Sequence, residues 1–273
     1  MRLAVSNIGW VPADEQPVAD ALQRLGVRHV EVAPTKVFPD PTATTSAQRQ
    51  QYQQFWADRG LSIVAFQSML FGRPELMVFG DAAARKQTLE VLSRFIELAG
   101  AIGAENLVFG SPKNRFVPDT MTFDEARAIA VDFFWALGRV ATDNNTCLCI
   151  EPNPVEYGCN FVTTASDGLA LVEAVGNPGF GLHLDAAGMT LANDAVGASI
   201  RRAGRHLRHF HASAPYLAQI EDQVVDHRGA AKALREIGYA GYVSIEMRPG
   251  LPGNAVADVA AAVALVRARY AAQ

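Results

Sequence analysis

The fold is decided by four short apolar runs in the second half of the chain, which are TCLCIE at 146–151, FGLHLD at 180–185, LRHFHA at 207–212 and YVSIE at 242–246. Each run has the length and apolar character of a buried strand, and each is followed by apolar residues at helical spacing. Four comparable runs precede them: LAVS at 3–6, HVEVA at 29–33, LSIVAFQ at 61–67 and NLVFG at 106–110. The sequence therefore predicts a strand–helix unit that occurs eight times.

Signals for helix boundaries support this repeat. Thr122 with Glu125, and Thr164 with Asp167, form capping-box patterns that are typical of helix starts. Glycine adopts the left-handed backbone of a helix end without steric cost, and five glycines stand where helices should end: Gly26, Gly60, Gly103, Gly176 and Gly238. We expect one α/β domain over residues 1–273, a (β/α)8 TIM barrel whose strand ends converge on one mouth. An open doubly wound sheet is the alternative that periodicity leaves open.

Composition excludes several classes of protein. Hydrophobic residues make up 49% of the 273 residues and charged residues 19%, which is enough for a large core. The net charge of −4 argues against a nucleic-acid partner, and no apolar stretch is long enough to cross a membrane. Three cysteines do not suffice for a disulfide framework. The first residues, MRLAVSNIGW, lack the features of a signal peptide, so we expect a cytoplasmic protein.

Residues with metal-binding side chains stand at the ends of the four later runs. They are Glu151, Asp185, His211 and Glu246. Strand alternation places them on the face opposite to apolar neighbours such as Ile150 and Leu184, so they should point into the barrel. Three carboxylates in one cavity repel each other, and a divalent cation is the simplest compensation. An oxygen-rich set with one imidazole favours Mn²⁺, with Mg²⁺ and Zn²⁺ as alternatives.

This ligand series resembles that of the xylose isomerase-like TIM-barrel superfamily, in particular its sugar phosphate isomerase/epimerase branch. The resemblance covers nearly the whole chain and is carried by E-P-N-P at 151–154, H-L-D at 183–185, H-F-H at 209–211 and S-I-E-M-R-P at 244–249. The segments Y-G-C-N-F at 157–161 and D-H at 226–227 add to it. Ketose 3-epimerases and hydroxypyruvate isomerases of this superfamily hold one divalent metal with Glu, Asp, His and Glu. The resemblance implies these ligand roles for Glu151, Asp185, His211 and Glu246.

Two departures from the pattern of ketose 3-epimerases concern the substrate. Gly188 stands where those enzymes usually have a substrate-binding histidine, and no arginine follows His211 in the stretch ASAPYL at 212–217. Endonuclease IV-type relatives with three zinc ions need further histidines, where this chain has Gln67, Ser68 and Ser111. The resemblance therefore implies one metal ion and leaves the sugar undefined.

The expected activity is metal-dependent isomerisation or epimerisation of a sugar or sugar phosphate. The reaction begins with removal of a proton α to a carbonyl, and a metal ion stabilises the resulting enediolate. We expect Glu151 and Glu246 to act as the acid–base pair. The alternatives are a lyase of the inosose dehydratase type, an endonuclease IV-like hydrolase and a noncatalytic sugar-binding relative.

The remaining site predictions concern the walls of the cavity and the layer behind the ligands. Trp10 and Phe66 are candidates for stacking on a sugar, and Asn153 is a candidate for hydrogen bonding to it. Three basic residues are candidates for binding an anionic group of the substrate: Lys113, Arg115 and Arg248. We expect three histidines to support the ligands from behind: His183, His209 and His227. The oligomeric state stays open between a monomer and a homo-oligomer.

Overall fold

The computed structural model describes residues 1–220 and 223–270. Within these residues, eight parallel strands form one closed barrel in sequence order. The strands are β1 (Arg2–Ser6), β2 (His29–Val32), β3 (Ser62–Phe66), β4 (Asn106–Phe109), β5 (Cys147–Ile150), β6 (Phe180–Asp185), β7 (Leu207–Ser213) and β8 (Tyr242–Glu246). Because β1 pairs with β8, the sheet closes and the open-sheet alternative is excluded.

Helices connect successive strands and surround the barrel. They are α1 (Glu15–Arg24), α2 (Pro34–Val37), α3 (Ser46–Ala57), α4 (Ala82–Ile102), α5 (Phe123–Asp143), α6 (Ala165–Val175), α7 (Ala186–Leu191), α8 (Val196–Ala203), α9 (His227–Glu236) and α10 (Ala255–Tyr270). Among the described residues, no helix combines the length and the hydropathy that crossing a bilayer requires.

The local signals in the sequence explain where these elements begin and end. Both predicted capping boxes are formed, with Thr122 at the start of α5 and Thr164 at the start of α6. The five glycines predicted at helix ends all adopt positive φ. Each strand lies within one residue of its predicted run at either end. The TIM-barrel prediction is therefore confirmed.

Strand alternation divides the interior from the core beneath the helices. The outward side chains of β5 and β6, such as Ile150 and Leu184, are fully buried in the main hydrophobic core. The inward side chains of β6 and β7 are polar, and His183, His209 and His211 are also fully buried. The interior of the barrel is thus polar just below the mouth at which the strands end.

Candidate metal centre

The predicted ligands converge at the carboxyl ends of β5–β8. Glu151, Asp185 and His211 each offer one ligand atom, and these atoms lie within 4.8 Å of one another. Glu246 joins them, because its Oε2 lies 3.3 Å from Nδ1 of His211. Nδ1 of His211 is also 4.0 Å from Oδ2 of Asp185. The structure therefore brings all four predicted ligands to one point at the mouth of the barrel.

The carboxylates of this cluster affect each other's protonation. Burial, together with the negative charges of Glu246 and Asp185, raises the pKa of Glu151 to about 8. Burial and the charge of Glu246 likewise raise the pKa of Asp185 to about 6. Burial alone would lower the pKa of His211, but nearby carboxylates outweigh it and raise that pKa well above its ordinary value. The cluster holds more negative charge than its histidine compensates.

Asp185 is held by the backbone that follows its own strand. It is the N-cap of α7, and its Oδ1 accepts a hydrogen bond from the backbone N–H of Gly188. Ser213, the last residue of β7, donates its hydroxyl proton to Oδ2 of Asp185 and accepts a hydrogen bond from the backbone N–H of Ala187. The sequence analysis missed Ser213, although strand alternation places it on the same face as His211.

Glu151 is held by the loop that follows β4. A Cβ atom at Gly110 would overlap Oε2 of Glu151, so only glycine leaves room for the carboxylate at this point. The fully buried Arg115 donates to the backbone oxygen of Glu151 at 2.7 Å and to that of Phe109 at 3.2 Å. The prediction that Arg115 contacts a substrate anion is therefore wrong, because its guanidinium is used to fix the strand end behind Glu151.

A second polar layer lies beneath the four ligands. Nε2 of His183 is 3.6 Å from Oε1 of Glu151, and Nε2 of His209 is 3.4 Å from Oε1 of Glu31. Glu31, in β2, is fully buried and was missed by the sequence analysis. Its signal was a charged residue inside the buried run HVEVA, on the face that alternation turns inward. His183 and His209 thus lie directly behind the cluster.

The cluster forms part of the floor of a cavity of about 770 Å³. Glu151, Asp185 and Glu246 line it together with Asn153 and Lys113. Other lining residues come from the loops after β3 and β7, including Gln67, Phe71, Tyr216 and Leu217. Its volume lies within the range of small-molecule sites. Asn153 and Lys113 are therefore placed where a bound molecule would contact them.

The structure corrects three further predicted positions. Trp10 and Phe66 are fully buried in the hydrophobic core and do not line the cavity, so neither can stack on a bound sugar. Arg248 is exposed outside the cavity.

The prediction that His227 lies behind the ligands is also wrong. Its Nδ1 lies 2.8 Å from the hydroxyl of Tyr270, so the imidazole packs between α9 and α10 in the helical layer. It therefore lies away from the ligands that it was expected to support. Each of these corrected residues lies in the segment that was predicted for it. The direction of its side chain was not determined by the sequence.

The donor set fits a divalent cation. Three carboxylates and one imidazole converge, and Nδ1 of His211 is buried without a hydrogen-bond partner among the described residues. The pKa values of Glu151 and Asp185 are raised first by burial and then by the neighbouring carboxylates, and a bound cation would favour their ionised forms against both effects. Oxygen ligands with a single nitrogen suit Mn²⁺ or Mg²⁺, and Zn²⁺ also accepts such a set.

Known proteins share this architecture. A family model described as "Xylose isomerase-like TIM barrel" matches residues 19–268. The L-ribulose 3-epimerase of Methylomonas sp. (strain DH-1) is 26% identical over 239 residues, which cover 87% of this chain and 79% of that protein. A crystal structure of D-psicose 3-epimerase with D-tagatose, from Clostridium cellulolyticum H10, superposes with a TM-score of 0.84 at 17% identity and covers 99% of each chain.

A second solved structure widens the range of activities on this fold. The apo form of a 3-keto-D-glucoside 4-epimerase from E. coli superposes with a TM-score of 0.82 at 17% identity, covering 98% of this chain and 99% of that one. At these identities the two structures establish the fold, whereas the family model establishes membership. The chain belongs to the xylose isomerase-like TIM-barrel family.

Proposed function

We propose that this protein is a divalent-metal-dependent epimerase or isomerase of a keto sugar or its phosphate. The observation that carries the proposal is the convergence of Glu151, Asp185 and Glu246, which line a cavity of small-molecule size, on the buried His211. The curated relative with 26% identity is named an L-ribulose 3-epimerase, which supports the epimerase reading. The proposal has two parts, which are the residues that would bind the cation and the residues that would transfer the proton.

Four residues would hold the cation in this proposal. They are Glu151, Asp185, His211 and Glu246. A bound divalent cation supplies an electrophile, since it polarises the substrate carbonyl and favours the negative charge that appears when the neighbouring proton is removed. Asp185 is proposed to act as a ligand and not in proton transfer, because both of its oxygens are already oriented by Gly188 and Ser213.

Glu151 and Glu246 are the proposed acid–base pair. They follow or end β5 and β8, which are three strands apart around the barrel, and both line the cavity. A substrate carbon between them is therefore approached by a carboxyl group from two sides. One carboxylate removes the proton α to the carbonyl, and the other carboxyl returns a proton to the opposite face, which inverts that carbon. Return of the proton to the neighbouring carbon would instead give an isomer.

Loops from the rest of the barrel would orient the substrate. Asn153 lines the cavity and donates from its side chain to the backbone oxygen of Glu151 at 3.1 Å, so its amide stands next to the proposed base. Lys113, on the loop after β4, and Arg73, on the loop after β3, are cations that line the cavity. Arg73 is already paired with Glu75, so a substrate phosphate would meet Lys113. Leu217 lines the cavity with an apolar side chain.

The test is solvent deuterium exchange. The Mn²⁺-supplemented protein is incubated in D₂O with ketopentoses, ketohexoses and their phosphates, and products are followed by NMR. We expect deuterium at the carbon next to the carbonyl together with the epimeric or isomeric sugar. Glu246→Gln is the inactive control, and exposed Glu236→Gln is its active counterpart. Loss of water from the substrate would identify a lyase, and binding of a sugar without exchange would identify a noncatalytic protein; either result would overturn the proposal.

A further inference from the structure

We propose that Glu31 is a positioning residue of the metal centre, which holds the proton of His211 on Nε2 and thereby turns the Nδ1 lone pair towards the cation. The inference deepens the proposed function and uses its four ligands. It begins from the place of Glu31 inside β2, where the side chain is fully buried within the barrel. Its carboxylate oxygens lie 2.9 and 3.1 Å from Nε2 of His211.

The two nitrogens of His211 have different surroundings. Nε2 faces Glu31 across the barrel, whereas Nδ1 faces Asp185 and Glu246. A neutral imidazole that binds a metal presents a lone pair on one nitrogen and keeps a proton on the other. An ionised carboxylate is an acceptor only, so Glu31 requires the proton to be on Nε2. The geometry therefore assigns Nδ1 as the ligand atom.

The position of Glu31 is itself fixed from two other strands. Ser244 of β8 donates its hydroxyl proton to Oε2 of Glu31, and Nε2 of His209 of β7 lies 3.4 Å from Oε1. Among the described residues, this carboxylate contacts these two groups and His211. A carboxylate held in this way cannot turn aside, so the orientation of the His211 ring is defined before a metal binds.

The competing explanation is that Glu31 merely fills and ties the barrel. In that case a side chain of equal size with hydrogen-bonding capacity should replace it without affecting the metal. Glu31→Gln makes the distinction, because its amide retains the volume but is no longer an obligatory acceptor. The matched control is Glu105→Gln, which changes a carboxylate at the opposite end of the barrel, where Glu105 pairs with Arg2.

The first measurement is the binding of Mn²⁺ alone, followed through the electron paramagnetic resonance signal of the free ion. We expect Glu31→Gln to weaken Mn²⁺ binding by about 10- to 100-fold, as is typical when the hydrogen-bond partner of a metal-binding histidine is lost. Glu105→Gln should bind Mn²⁺ as the wild type does. Equal affinity of Glu31→Gln and the wild type would overturn the proposal.

The second measurement needs no variant, so it decides the matter even if Glu31→Gln fails to fold. Histidine is labelled with ¹⁵N in the wild-type protein, and the imidazole protons are assigned by NMR without metal and with diamagnetic Mg²⁺. We expect His211 to carry a hydrogen-bonded proton on Nε2 in both states and an unprotonated Nδ1 with Mg²⁺. A proton on Nδ1 with a bare Nε2 would overturn the role of Glu31. A wild-type protein that binds no divalent cation would instead contradict the proposed function, while the Nε2 proton could still be observed.

Discussion

The two halves of the barrel contribute different chemistry to the same cavity. Strands β5–β8 carry carboxylates or an imidazole within two residues of their carboxyl ends, whereas β1–β4 end in Ser6, Val32, Phe66 and Phe109. The loops after β3 and β4 then supply wall residues, among them Phe71 and Lys113. The residues proposed to bind the ion and transfer protons therefore lie mainly in the second half, and Glu31 and Gly110 of the first half help to position them. The wall residues of the first half would instead select the substrate. Substitutions of the wall residues and of the proposed ligands should therefore have separable effects.

The largest effect is expected at the proton-transfer pair. Glu246→Gln removes a carboxylate at the mouth of the barrel and should lower kcat by about 10³-fold, within the range for loss of a general acid or base. Its circular dichroism spectrum should match that of the wild type, because Glu246 is not part of the hydrophobic core. Steady-state kinetics with Mn²⁺ measure the effect. Wild-type turnover in this variant would remove Glu246 from the mechanism.

The next largest effect is expected from a methyl group at Gly110, in the segment between β4 and β5 where the two halves of the barrel meet. Gly110→Ala places a Cβ against the Glu151 carboxylate, so this proposed base must move and activity should fall about 100-fold. Gly9→Ala is the matched control, since a Cβ there meets only Met247 at 3.6 Å or more. If the two variants have equal activity, Glu151 does not require the position that the structure gives it.

The carboxylates in the second half of the barrel should also make the binding of Mn²⁺ depend on pH. The raised pKa values of Glu151, about 8, and Asp185, about 6, mean that the folded metal-free protein disfavours their ionised forms. Metal-free stability should therefore fall as the pH rises above the unfolded pKa values of about 4, with the loss complete above about pH 8.

Mn²⁺ reverses this loss because it binds the ionised carboxylates and competes with protons. The increase in Tm on adding Mn²⁺ should therefore be larger at about pH 8.5 than at about pH 5.5. Differential scanning fluorimetry over this range measures it, with the metal-free protein as reference. An increase that is independent of pH would contradict the coupling between the carboxylates and the cation.

The smallest effect is expected in the first half. Lys113→Met should raise KM for a sugar phosphate by about two- to fivefold, because an exposed ion pair contributes little free energy. The kcat value and the Mn²⁺ affinity should not change. Arg248→Met, outside the cavity, is the control. A loss of Mn²⁺ binding in Lys113→Met would show that the two halves are not separable.

Much of this arrangement could be predicted from the sequence because strand periodicity fixes which side chains share a face. The order of strands and the convergence of Glu151, Asp185 and His211 follow from alternation and from the common mouth of a parallel barrel. Glu31 follows the same rule, but it lies inside β2 and not at the strand end where ligands are expected. Its partner His211 lies 180 residues away, so only closure of the barrel reveals the pair.

Apart from Phe66 at the end of β3 and His227 at the start of α9, the errors arose in loops, where the sequence does not determine the direction of a side chain. Arg115 was assigned to the correct loop, yet its guanidinium turns inward to backbone oxygens of Phe109 and Glu151. Trp10 follows β1 as expected, but its ring packs into the core. Such orientations depend on contacts between segments distant in sequence, which periodicity does not encode.

The most direct test of the account is a crystal structure of the protein soaked in Mn²⁺, with diffraction data collected at the manganese absorption edge. We predict one anomalous peak among the carboxylates of Glu151, Asp185 and Glu246 and Nδ1 of His211. A peak at another place in the molecule, or none in a crystal where the four side chains are ordered, would contradict it.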